Sequence, residues 1–173
     1  MNKYKCNALL VNVRLALFCV FVMQVPALAA DLDLHVYWEQ RCESCHGHAG
    51  AFARRFLRLE NGQLSGVHPA GDLNLFLRNH YLNDDLIAPV TAMLKAQVVS
   101  RPLFSEKCAG CHGSAAQFVR QSLMMKDGVL TGRLSGRTVA DFLNAHGKLE
   151  SGQKDIMLDT LSRVHKELSI PVK

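Results

Sequence analysis

The first thirty residues have a different polarity pattern from the rest of the chain. A start with three basic and no acidic residues leads into an apolar run from Leu15 to Val25. Pro26 ends this run, and the small–x–small pattern Ala27-Leu28-Ala29 follows. The run is too short to span a bilayer, because a transmembrane helix needs about 20 apolar residues. The pattern therefore predicts a signal peptide over residues 1–29, with a retained N-terminal anchor as the alternative.

Beyond residue 30, apolar positions recur at helical spacing in six segments, three in each half of the chain. Leu73, Phe76 and Leu77 show the i, i+3, i+4 pattern of one buried helix face. The predicted helices cover residues 34–45, 72–79 and 84–98, and then 102–111, 138–145 and 151–168. Glycine-rich segments at 61–71 and 127–136 are expected to be loops. The pattern predicts an all-α fold.

The two halves are copies of each other. At an offset of 66 positions, Trp38 falls on Phe104 and Arg54 falls on Arg120. The glycine-rich segments match at the same offset, as do two short stretches that end in His80 and His146. A one-residue insertion in the second half then aligns the last helices. A duplication of this kind predicts two tandem three-helix domains, over residues 30–99 and 100–173.

The positive charge of the sequence lies mainly in its N-terminal segment. The chain has 20 lysines and arginines against 15 acidic residues, which gives a net charge of +5. Removing residues 1–29 leaves 17 basic residues and a net charge of +2. A surface this close to neutral does not predict a nucleic-acid-binding protein.

Four cysteines follow the predicted signal peptide, and they occur in two C-x-x-C-H motifs. The motifs are Cys42-Glu43-Ser44-Cys45-His46 and Cys108-Ala109-Gly110-Cys111-His112, and glycine follows each. Two thiols three positions apart on one helical turn can reach the two vinyl groups on one edge of a porphyrin. The adjacent histidine is then placed as proximal iron ligand. A pair of disulfides, a redox dithiol and a zinc site shared by all four cysteines are the alternatives.

With its motif helix, its loop and its closing C-terminal helix, each half resembles a class I cytochrome c domain. The resemblance covers almost all of the chain after the signal peptide. It implies two haem c groups, attached to Cys42 and Cys45 and to Cys108 and Cys111, with His46 and His112 on the irons. Trp38 and Phe104 correspond to the aromatic residue that such domains place where their first and last helices cross.

The sequence departs from the family in the expected sixth ligand. Most class I domains supply a methionine from a loop before the last helix, but here Met93 and Met157 fall inside the predicted last helices. His80 lies 34 residues after His46, and His146 lies 34 residues after His112. This equal spacing predicts bis-histidine ligation. His68 is the reserve ligand of the first haem, whereas His35, His48 and His165 are expected to be solvated surface residues.

Filled axial positions predict electron transfer and no enzymatic activity, because an iron with two protein ligands cannot readily bind a substrate. The expected location is the periplasm, and the expected partners are redox proteins that donate and accept electrons. Association with a membrane or periplasmic oxidoreductase is possible, as the cytochrome subunit of a larger complex. A haem-based binder or sensor of small ligands is the other alternative.

Overall fold

The computed structural model describes residues 31–66 and 73–171. The predicted signal peptide over residues 1–29 and the reserve ligand His68 lie outside this part of the chain. The first half contains β1 (Asp31–Leu32), α1 (Leu34–Arg41), α2 (Glu43–His46), α3 (Ala49–Phe56), β2 (Leu57–Glu60), β3 (Gln63–Gly66), α4 (Leu73–Arg78) and α5 (Asp84–Val99). The second half contains α6 (Leu103–Lys107), α7 (Ala109–His112), α8 (Ala115–Ser122), β4 (Leu123–Lys126), β5 (Val129–Gly132), α9 (Val139–Leu143), α10 (Ser151–Glu167) and β6 (Ile170–Pro171).

From α1 and from α6 onwards, both halves run through the same order of elements. Three helices lead to a β-hairpin, and a short helix and a long helix follow. The predicted last helices are confirmed to within a residue, as α5 and α10. None of the helices in the described residues combines the length and the apolar character needed to cross a membrane.

The predicted all-α fold class is wrong, because the structure contains three two-stranded antiparallel sheets. In two of them a tight hairpin joins β2 to β3 and β4 to β5. The turns are Asn61-Gly62 and Asp127-Gly128, whose four φ angles are all positive, between 49° and 78°. Asn-Gly and Asp-Gly favour such turns because these residues tolerate left-handed backbone. Strands β3 and β5 therefore occupy much of the segments predicted as loops.

The first helix of each half is also different from the prediction. A single helix was expected over residues 34–45, but α1 ends at Arg41 and α2 begins at Glu43, because Cys42 has φ −120° and ψ −35°. Cys108 interrupts the second half in the same way, with φ −121°. A further helix, α3 or α8, then follows each motif and was not predicted at all.

Buried side chains form two separate clusters, one in each half. The first includes Leu34, Trp38 and Leu94, and the second includes Leu103, Phe104 and Leu161. In each cluster an early helix packs with the long last helix of the same half. The domain limits at residues 99 and 100 stay a prediction.

The two halves are joined through the start and the end of the described chain. Strands β1 and β6 pair as the third antiparallel sheet, with Asp31 opposite Pro171. Asp33 forms an ion pair with Arg120, at 2.9 Å. The Nε2 atom of His35 lies 2.8 Å from a carboxylate oxygen of Glu167, and its side chain is only 11% exposed. The prediction of His35 as a solvated surface residue is therefore wrong.

Candidate cofactor-binding sites

In the described residues, an open and largely apolar cavity lies in each half of the protein. The cavities measure about 660 Å³ and 560 Å³. Volumes of this size are typical of cofactor and small-molecule sites. Both motif cysteines, the motif histidine and the predicted distal histidine line the cavity of their own half; in the first half these are Cys42, Cys45, His46 and His80. The second cavity is lined by their counterparts, Cys108, Cys111, His112 and His146.

The motif folds as one tight helical turn in each half. The N–H groups of Cys45 and His46 both donate to the carbonyl of Cys42, at 3.1 Å and 2.9 Å. Cys111 and His112 repeat these bonds with Cys108, at 3.1 Å and 3.0 Å. The turn thus places both thiols and the histidine on the wall of one cavity, as covalent haem attachment requires.

The glycine after each motif is required by the backbone. Gly47 has φ +67° and ψ −165°, and Gly113 has φ +69° and ψ −141°. At Gly47 this is a region of backbone space that essentially only glycine adopts, and any side chain is strained at a positive φ of this kind. The chain can therefore turn sharply away from the cavity directly after the proximal histidine.

An aromatic ring packs on the motif histidine of each half. Phe52 lies 4.7 Å from the His46 ring, measured between centroids, and Phe118 lies 4.6 Å from the His112 ring. In the first half the Trp38 Nε1–H also donates to the carbonyl of Gly47, at 2.9 Å. Phe104, at the equivalent position, has no such donor. Phe52 and Phe118 were not predicted as site residues, although they match at the offset of 66 positions.

The predicted distal histidine faces the proximal one across each cavity. Ring centroids are 5.8 Å apart for His46 and His80, and 6.0 Å apart for His112 and His146. A metal–imidazole bond is about 2.0 Å long, so two imidazoles on opposite sides of one metal have centroids about 6 Å apart. In both halves the observed separation fits one iron between the two rings.

Short helices position the distal histidines. His80 follows α4, and its N–H donates to the carbonyl of Leu77, at 3.0 Å. Phe76 stacks on the His80 ring, with 4.9 Å between centroids, and Phe142 lies 4.6 Å from the His146 ring. Each of these short helices thus brings a phenylalanine and, one turn later, a histidine to the cavity wall.

Burial favours the neutral form of His46, Cys42 and Cys108. Burial lowers the pKa of His46, and the neighbouring His80 lowers it further. Burial raises the pKa of Cys42, and burial together with Cys111 raises the pKa of Cys108. A neutral imidazole can coordinate a metal, whereas a protonated one cannot.

The methionines lie in less suitable places. Met93 is buried inside α5 and does not line the first cavity. Met157 lies in α10 and does line the second cavity, where Val90 occupies the corresponding place in the first. Because the helices carry these residues at non-equivalent positions, a repeated methionine ligand is not available.

The structure also bears on the alternatives for the four cysteines. Among residues 31–66 and 73–171, the thiols of Cys42, Cys45, Cys108 and Cys111 are all free. The two pairs line different cavities. No group of three or more His, Cys, Asp or Glu side chains in the described residues could hold a metal ion. Because the two cysteine pairs line different cavities, a zinc site shared by all four is disfavoured. Haem needs only two protein ligands, since the porphyrin supplies the other four.

Taken together, the apolar lining, the paired thiols and the facing imidazoles fit one covalently attached haem in each half.

His48 is exposed, with its ring accepting a hydrogen bond from the N–H of Gly50, and His165 is half-buried on α10. Neither histidine lines either of the two cavities.

Compared with known protein families, with curated protein sequences and with solved structures, the chain gave no match.

Proposed function

We propose that this protein is a dihaem c-type cytochrome that transfers electrons in the periplasm. The observation that carries the proposal is the repeated cavity: in each half, a C-x-x-C-H turn faces a second histidine at a separation suited to one iron. Both halves keep the two thiols and the two facing imidazoles, although other positions of the repeat have changed between them.

The chain's own residues account for binding. Cys42 and Cys45 would form thioether bonds to one haem, and Cys108 and Cys111 to the other. The haem iron, when bound, supplies the ability to take up and release one electron. Phe52 and Phe76 pack on the two axial imidazoles of the first site and fix their orientation. The apolar walls exclude water and so reduce the reorganisation that accompanies a change of charge.

Electron transfer is favoured over catalysis because each site offers two imidazoles. With His46 and His80 on one iron and His112 and His146 on the other, both axial positions are filled by protein. The proposed partners are redox proteins that donate or accept single electrons, free or within a membrane or periplasmic oxidoreductase. Export is proposed from the signal-like pattern over residues 1–29.

The proposal is tested by the mass and spectrum of the protein produced with a periplasmic haem-attachment system. The denatured mature chain should exceed its polypeptide mass by two haems. Replacing Cys42 and Cys45 by alanine should remove one haem, and the matched Cys108→Ala/Cys111→Ala variant should remove the other. A mass with no addition, or one that shows bound zinc, contradicts the proposal.

A second measurement distinguishes an electron-transfer protein from a haem protein that binds small ligands. The reduced protein should show low-spin haem only, and carbon monoxide should leave its spectrum unchanged. Stoichiometric carbon monoxide binding by the wild type would favour a haem-based ligand binder instead.

A further inference from the structure

The rims of the two cavities differ in charge. Lys107, Arg137 and Lys148 line the second cavity, and none of the acidic side chains in the described part of the chain does. Among the described residues, Arg41 is the one cation that lines the first cavity. The two sites are similar in their iron ligands but not in the charges that surround them.

The difference in the number of lining cations can be seen when the two halves of the sequence are aligned. Arg41 and Lys107 are equivalent at the offset of 66 positions, whereas Arg137 falls on Gly71. Lys148 lies where the second half has its one-residue insertion. Two of the three cations of the second rim are therefore additions that the first half does not have, and this follows from the sequence alone.

Both additional cations line the second cavity. The Arg137 guanidinium lies over the Phe142 ring, 5.8 Å from its centroid. The backbone carbonyl of Arg137 accepts a hydrogen bond from the N–H of Gly132, at 2.9 Å. This bond connects the backbone at Arg137 to the end of strand β5. Lys148 has φ +49° and lies between the turn residue Gly147 and the buried Leu149.

Building on the function proposed above, we infer that Arg137 and Lys148 bind the carboxylate groups of the second haem and give that haem the higher reduction potential of the two. Arginine pairs with carboxylates through two parallel N–H···O bonds, and lysine does so as a point charge. Reduction adds one negative charge to a haem site. Nearby cations stabilise the reduced form and raise the potential; because Arg137 and Lys148 are exposed, solvent and salt weaken this effect.

The test is a spectroelectrochemical titration of the holoprotein, which resolves two one-electron midpoints. In Arg137→Gln/Lys148→Gln the higher midpoint should fall and the lower one should stay where it is. Arg41→Gln should lower only the lower midpoint. Lys126→Gln removes the same charge from the hairpin strand β4, away from both cavities, and should leave both midpoints unchanged.

Two further readouts separate charge from structure. Arg137→Lys should leave the higher midpoint close to its wild-type value, because lysine keeps the positive charge at this position. Raising the salt concentration should lower the higher midpoint more than the lower one, because salt screens exposed charges.

The inference is overturned if the double variant shifts the lower midpoint, shifts both equally or shifts neither. The last result is also what is expected if these cations instead dock an acidic partner protein. All three results presuppose two covalent haems and leave the proposed function standing. A protein without covalent haem would instead refute that function, before any midpoint is measured.

Discussion

Replacing Asp33 by alanine should destabilise the protein by about 2 kcal/mol, because one carboxylate serves two purposes. Its Oδ1 accepts hydrogen bonds from the N–H groups of His35 and Val36, both at 2.9 Å, and so caps α1. Its Oδ2 accepts from Nε of Arg120 in the other half, at 2.9 Å. Loss of a helix cap costs about 1 kcal/mol. The ion pair adds up to about 1 kcal/mol, since both side chains are partly exposed.

The two contributions can be separated with substitutions at the same position. Asp33→Ser keeps a capping oxygen and loses the ion pair, so it should cost about half as much as Asp33→Ala. Arg120→Ala removes the ion pair alone. In a double-mutant cycle, Asp33→Ser and Arg120→Ala should show a coupling of about 0.5–1 kcal/mol.

Chemical denaturation of the holoprotein, followed by circular dichroism, measures these differences. Arg54→Ala is the matched control, because Arg54 is the repeat counterpart of Arg120 and bonds to the Gln97 carbonyl within its own half, at 3.4 Å. In a double-mutant cycle with Asp33→Ser, Arg54→Ala should show a coupling energy near zero. Equal costs for Asp33→Ser and Asp33→Ala, or a coupling of zero with Arg120, would refute this account of how the halves are joined.

Three further outcomes follow from the sites. The oxidised protein should lack the near-red methionine–iron band, and both haems should titrate below methionine-ligated c-type haems; finding the band would contradict histidine ligation. His80→Ala and His146→Ala should each free one axial position of one iron, so each variant should bind about one carbon monoxide per chain after reduction. A changed spectrum in His68→Ala but not in His80→Ala would contradict the assignment of His80 as a ligand. Gly47→Ala should lower the free energy of unfolding by about 1–3 kcal/mol through backbone strain, and Gly110→Ala, where Ser44 is the repeat counterpart, should change it little.

The features that sequence predicted best are those that repeat. The spacing from His46 to His80, and from His112 to His146, correctly indicated side chains that face each other across a cavity. The long last helices were also predictable, since their apolar positions repeat over several turns. Both signals depend on local periodicity or on comparison of one half with the other, and neither requires knowledge of distant contacts.

Other features depend on backbone chemistry that the apolar pattern hides. Strands of four residues are too short for a clear alternation, so the turns Asn61-Gly62 and Asp127-Gly128 were the usable signal for the hairpins. The break at Cys42 has no counterpart in the periodicity. The burial of His35 could not be read from sequence, because its partner Glu167 is 132 positions away.

The pairing of β1 with β6 has a consequence for the order in which the protein folds. The hairpins at Asn61-Gly62 and Asp127-Gly128 join residues that are close in the chain, so they can form within microseconds. Asp31 and Pro171 can meet only after a loop of nearly the whole chain has closed, at a high entropic cost. If the chain is exported as proposed, the first half would emerge well before the second. Each half would thus be able to fold and receive its haem as a separate unit, and the contact between the two ends would form last.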